Sequence, residues 1–168
     1  MISRRFIKNT LLGAAFAGAV GGVGYLGKTQ TELVDRKYKR SKEYYDVTYQ
    51  WIVNKQKGKG ITDYFAGHRI KTIAIYGMGT LGELLYNDIK EDSAVGVACF
   101  IDQMADLYSA GIDGIPVLKD VSEDYKDKID AVVITPVHQF DNIKKELGGQ
   151  GFDKAIISLK EIINCLDE

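Results

Sequence analysis

The stretch KTIAIYGMGTLGELL, Lys71 to Leu85, decides how the rest of the chain is read. It opens with an apolar run too short and too continuous for an amphipathic helix, the pattern of a strand buried on both faces. At Gly77 the period changes, and a helical pattern runs from Leu81 to Glu91. The same alternation continues downstream. VGVACFID (95–102), IPVL (115–118), DAVVITPV (130–137) and KAIISL (154–159) read as further strands, with helical patterns at 121–126, 138–147 and 159–166. Alternating strands and helices imply a parallel sheet with right-handed crossovers. The expected fold is therefore α/β: a small Rossmann-like parallel sheet of about five strands with helices on both faces.

Gly77-x-Gly79-x-x-Gly82 follows the first strand and opens the first helix, where a dinucleotide fingerprint belongs. Gly77 can take the tight turn, Gly79 lets the backbone approach a pyrophosphate, and Gly82 lets the helix pack against the strand. Met78, Thr80 and Leu81 complete the turn, whose amide groups and helix dipole suit an anion. Thr80 and Glu83 spell a T-x-x-E capping box, which would set a carboxylate beside the same helix end. The turn thus reads either as a phosphate cradle or as a purely structural corner. Asp102 ends the second strand, 20 positions beyond Gly82, where an acidic side chain meets an adenosine ribose. No arginine follows closely, which favours NAD, or another nucleotide with a free ribose, over NADP. Asp102 reads equally as a cap for the turn QMADLY. Thr135 and His138, in ITPVHQFDNI, stand at the carboxyl edge of the sheet as contacts for a ribose, phosphate or sugar, and His138 also reads as a helix-entry residue.

The 168 residues have room for one domain and an appendage. A net charge of −1 hides an asymmetry: residues 1–70 carry 13 of the 22 basic and 5 of the 23 acidic side chains, so the basic excess lies outside the α/β part. Residues 1–10 form a basic head with Arg4, Arg5 and Lys8, and 11–27 an uncharged tract read as a membrane anchor or signal-like helix. As a helix, Leu11 to Leu26 rises about 24 Å against about 30 Å of hydrocarbon, a marginal span. SRRFIK lacks the residue that a twin-arginine signal has before its phenylalanine, and the small-x-small site Ala15-Phe16-Ala17 falls too early for cleavage. Retention as an anchor is the expectation. Ala14, Gly18 and Gly22 share one helical face and would admit a second copy, giving a homodimer.

Lys28, Arg36, Lys37, Lys39, Arg40 and Lys42 follow the tract, so the positive-inside tendency expects a cytoplasmic domain. Residues 28–60 read as a basic amphipathic connecting helix. Val34, Tyr38, Tyr45, Thr48 and Ile52 recur at near-helical spacing, with Tyr44, Val47 and Trp51 beside them, up to the glycines of KGKG. An anionic lipid surface, not nucleic acid, is its expected partner. Residues 61–168 make up the α/β domain. Cys99 and Cys165 have neither metal-ligand nor disulfide spacing and read as structural thiols of a reducing compartment.

IAIYGMGTLGELLYNDI, CFIDQMADLYSAGIDGIPV and DAVVITPVHQFDNIKKEL together resemble the Rossmann-fold nucleotide-binding domain of bacterial surface-polysaccharide biosynthesis proteins, of the nucleoside-diphosphate-sugar epimerase-like kind. They are also similar to the N-terminal domain of sialic-acid-type sugar acyltransferases. The resemblance covers Lys71 to about Leu166. It implies nucleotide contacts at Gly77, Gly79, Gly82 and Asp102, with Thr135 and His138 alongside, and NAD or a nucleotide sugar as ligand. The acyltransferases carry Gly-Gly-His-Gly in the first turn; here Leu81 takes the histidine's place, and their repeating left-handed helix domain has no counterpart among these residues. Tyr86-x-x-x-Lys90 has the spelling of the short-chain dehydrogenase pair but lies on the first helix, behind the turn. The 98 residues from Lys71 onward leave little for a substrate domain. The expected role is a membrane-anchored accessory or regulatory nucleotide-binding module in cell-surface polysaccharide biosynthesis, working with polysaccharide-assembly enzymes. The alternatives are a sugar-nucleotide-modifying enzyme completed by oligomerisation, and an interaction module that has lost its ligand.

Overall fold

The computed structural model describes residues 31–92 and 94–167. The basic head at 1–10 and the anchor expected at 11–27, with its Ala14, Gly18 and Gly22 seam, lie outside the described residues. Among the described residues no helix is long and apolar enough to cross a membrane. The chain divides into two units at Lys42/Glu43. Helix α1, residues 31–56, contributes 31–42 to the first, where every side chain is exposed and Asp35 and Lys39 pair at 2.8 Å one turn apart.

The second unit holds the rest of α1, then α2 (Ile61–Gly67), β1 (Thr72–Tyr76), α3 (Thr80–Ile89), β2 (Gly96–Ile101), β3 (Val117–Leu118), α4 (Glu123–Lys126), β4 (Ala131–Ile134), α5 (Phe140–Gly149), β5 (Ala155–Ser158) and α6 (Leu159–Cys165). Short 3-10 turns sit at Ala105–Tyr108 and Val137–Gln139. All five strands pair in parallel in the order β3-β2-β1-β4-β5, so the expected five-stranded parallel α/β sheet is present.

Side chains alternate across each strand, and both faces are covered, which is why the strands read as unbroken apolar runs. Ile73, Ile75, Phe100 and Val133 pack with Leu81, Leu85 and Ile89 of α3, Ile162 and Ile163 of α6, Phe65 of α2, and Val47 and Trp51 of α1. On the other face Ala74, Cys99, Ile101 and Val132 meet Ile143 and Leu147 of α5, with Val121, Ile129 and Phe152. Asn54 is the polar residue at the centre of the α1 contact. It is fully buried, donates from its amide to the Ile163 carbonyl at 2.7 Å, and accepts from Gln50 Nε2 at 3.0 Å. A buried amide with its hydrogen bonds made costs little, and one left without them costs about 1–3 kcal/mol. Burial pushes the Cys99 thiol up to about 11, in keeping with a structural thiol, whereas Cys165 lies on the surface.

The sheet's lower edge is set by Asp130, just before β4. Its Oδ2 accepts from the backbone N–H of Lys71 at 2.8 Å and of Thr72 at 2.9 Å, starting β1 in register with β4. The Lys71 and then the Thr72 amide hold its carboxyl below the usual value of 3.8. A carboxyl depressed on folding adds stability that is complete above the unfolded value and is lost as pH falls through the folded one. Asp130→Asn is therefore expected to lower the urea midpoint at pH 7, with the gap to the parent protein closing below about pH 4.

Candidate functional site

β1 runs out at Tyr76, and Gly77 turns the chain with φ +90°, a region open to glycine at little cost. A Cβ on Gly77 would stand 2.8 Å from the Pro136 ring. On α3, a Cβ on Gly82 would stand 2.0 Å from the Gly77 carbonyl oxygen, so the helix rests directly on the strand end. Thr135, 2% exposed at the end of β4, completes the corner. Its Oγ1 lies 2.7 Å from the Gly77 carbonyl oxygen and 3.0 Å from that of Tyr76, sharing one proton between two acceptors. The Gly77 N–H donates to the Ile101 carbonyl at 2.8 Å. Thr135 thus spends its hydroxyl on the turn itself.

Gly79 is the N-cap of α3, in extended backbone, and no side chain caps it. The expected capping box does not form, because the helix begins one residue before Thr80 could serve as its cap. Nothing stands within 4 Å of where a Gly79 Cβ would project, so the space in front of the turn is open. Thr80 is exposed, whereas Leu81 sends its side chain into the core and offers the turn only its backbone.

Asp102 bridges two loops. Its Oδ2 accepts from the Met78 N–H and its Oδ1 from the Met104 N–H, both at 2.8 Å. Charge-assisted bonds of this kind are about twice as strong as neutral ones. They tie the end of β2 to the glycine turn and cap QMADLY in the same stroke, while a carboxylate's further lone pairs remain for other donors. Gly77, Met78, Asp102 and Thr135 are therefore joined by direct bonds. His138 stands apart from them, beyond Pro136. Its ring meets Tyr44 of α1 edge-on at 5.7 Å, and the Gln139 side-chain amide donates to its Nε2 at 3.0 Å.

Beside Met78 opens a cleft of about 340 Å³ lined by Glu83, Tyr86, Asn87, Tyr108, Ile112 and Asp113. Ile112 and Ile115 exchange two backbone hydrogen bonds at 2.9 Å around Asp113 (φ +51°) and Gly114 (φ +80°). This is a two-residue hairpin with positive φ at both corners, the geometry Asp-Gly favours. It brings Asp113 Oδ2 to the Tyr86 hydroxyl, which donates to it at 3.0 Å. Burial first, and Asp113 second, raise the Tyr86 pKa, the opposite of what a tyrosine base needs. Tyr86 and Lys90, whose ammonium stands 5.8 Å from the ring centre, make a packing pair. Tyr108 and Asp113 escaped sequence reasoning, although the two-residue Asp-Gly between isoleucines was a usable turn signal. A second cleft, of about 530 Å³, lies among Val137, Phe140, Ser158, Lys160 and Cys165. Among the described residues no cluster of three or more potential metal ligands occurs.

Thr135→Val keeps the shape of the side chain and deletes the hydroxyl. We expect it to cost about 1–3 kcal/mol by urea unfolding, with Thr135→Ser recovering most of that loss. Gly82→Ala is expected to be the more damaging change, because its methyl would meet backbone, which has the least room to move.

No curated protein matches this chain. The family model described as C2185-like, N-terminal, matches residues 69–163. That span takes in all five strands, the glycine turn and the cleft beside it. The chain belongs to the C2185-like, N-terminal family.

Proposed function

We propose that this protein is a membrane-anchored nucleotide-binding module, taking NAD or a nucleotide sugar, that serves bacterial cell-surface polysaccharide biosynthesis as an accessory or regulatory subunit. The sheet is read as Rossmann-like: its order reverses between β1 and β4, and ligands of such folds lie outside the carboxyl ends of the strands at that reversal. The observation that carries the reading is the glycine turn, whose Gly79 faces open space at an N-terminus of α3 with no side-chain cap. A phosphate set there would receive amide hydrogens and the positive end of the helix dipole. The neighbouring cleft suits the nucleoside, with Tyr86 and Tyr108 as apolar walls and Asn87 and Asp113 as polar partners. Glu83, Asp102 and Asp113 make the surroundings acidic, which disfavours the extra phosphate of NADP. The anchor at 11–27 would hold the domain on the cytoplasmic side, beside polysaccharide-assembly enzymes. Self-association through Ala14, Gly18 and Gly22 belongs to the same reading, and no role on nucleic acid does.

One observation favours a second reading, an interaction module that has lost its ligand. Asp102, a carboxylate of the chain's own, already holds the Met78 amide of the turn.

Calorimetric titration with NAD, NADP and UDP-sugars separates the two. On the first reading NAD or a UDP-sugar binds, NADP binds at least tenfold more weakly than NAD, and Gly79→Ala weakens binding tenfold or more. That substitution should cost only about 1 kcal/mol of stability, the usual price of alanine at an N-cap. On the second reading the folded protein gives no heat with any of them.

A further inference from the structure

Helix α1 carries two seams in its second-unit half. One, formed by Tyr44, Val47, Trp51 and Asn54, is spent on the domain interior. The other is left on the surface: Tyr45 is 67% exposed, Tyr49 56% and Ile52 52%, and Leu84 of α3 extends the patch at 42%. The Tyr45 and Tyr49 rings stack at 6.0 Å with 16° between their planes, making a stiff ridge. Next to the ridge runs an apolar groove of about 300 Å³ lined by Thr48, Trp51, Ile52, Lys55, Leu84 and Asp88. The groove's charges are already matched. Asp88 accepts from Trp51 Nε1 at 3.0 Å and pairs with Lys55, so covering it would bury no lone charge.

We infer that this face is the contact between two copies of the chain, the Tyr45–Tyr49 ridge of each lying in the Ile52–Leu84 groove of the other about a twofold axis. A ridge and a groove side by side on one patch are what an isologous contact requires. The charge pattern points away from an anionic lipid surface, because residues 43–54 contain Glu43 and Asp46 and no lysine or arginine, and Lys55 in the groove is paired with Asp88. The area is adequate. Tyr45, Tyr49, Ile52 and Leu84 together expose on the order of 400 Å², most of it apolar, taking roughly 200 Å² for a whole large residue. A standard interface of roughly 800 Å² per copy is about 57% apolar and so holds about 450 Å² of apolar surface, close to what these four residues offer.

Sedimentation velocity of the full chain in mild detergent, over a wide dilution series, tests this contact, with emission from Trp51, the single tryptophan, as a second readout. A monomer–dimer equilibrium is expected, with a Trp51 spectral shift on dilution. Tyr45→Glu combined with Tyr49→Glu should weaken the dimer at least a hundredfold, and Ile52→Lys should do so independently. Tyr45→Phe with Tyr49→Phe should retain it, and circular dichroism should report an unchanged fold for all of them, since these side chains lie outside the core. A monomer at every concentration would overturn the inference, as would a dimer indifferent to the glutamates. So would a dimer lost only in Gly18→Leu with Gly22→Leu, or tyrosine-dependent binding to phosphatidylglycerol vesicles with no change in association.

Discussion

The carbonyl group of Gly77 is the point on which the architecture turns. It is pressed by α3 at Gly82 from one direction and accepts the Thr135 hydroxyl from another, so three elements, β1, α3 and β4, meet at one oxygen atom. A side chain on Gly82 would lift the helix off the strand. Any movement of Thr135 would leave a buried carbonyl with one bond fewer, a loss on the order of 1 kcal/mol. With that corner closed, Gly79 is carried outward to the helix cap, and the Met78 amide is turned toward Asp102. The open ground in front of the turn is a by-product of how tightly its back is sealed.

Much of this was legible in the residues. The strands announced themselves as short apolar runs because a sheet covered on both faces has no polar side to interrupt them. The spacing of Gly77, Gly79 and Gly82 located the strand-to-helix corner, and each glycine has its own reason: a positive φ, an open face, a close approach. What stayed hidden depended on partners far away in sequence. Thr135 looked like a ligand contact, and only the position of β4 beside β1 reveals a hydroxyl directed at the turn. His138 stood two residues past Pro136 in the same stretch, yet its neighbour is Tyr44, which no local pattern could supply. The box spelled by Thr80 and Glu83 failed by a single residue of helix start, the kind of margin at which element ends are read least well.

Asp102 shows why one residue can support two functional readings. Its carboxylate is held by amides on both sides, which positions it as firmly as a ligand-binding group needs to be positioned. The same bonds also satisfy the turn in the absence of any ligand. The loop that follows has a comparable economy. The Asp113-Gly114 hairpin closes a few residues into a stiff tongue and places a carboxylate against Tyr86, so the outer wall of the cleft stands on backbone geometry and not on a flexible side chain.

The bond from Asn54 to the Ile163 carbonyl joins residues 109 apart in the chain. A ribosome therefore makes Asn54 well before the carbonyl that receives its amide hydrogen. Until α6 emerges, the helix bearing Val47, Trp51 and Asn54 has an incomplete berth, with apolar surface open and an amide still lacking its acceptor. Truncation before α6 would take that acceptor, and the Ile162 and Ile163 side chains, out of the berth of α1.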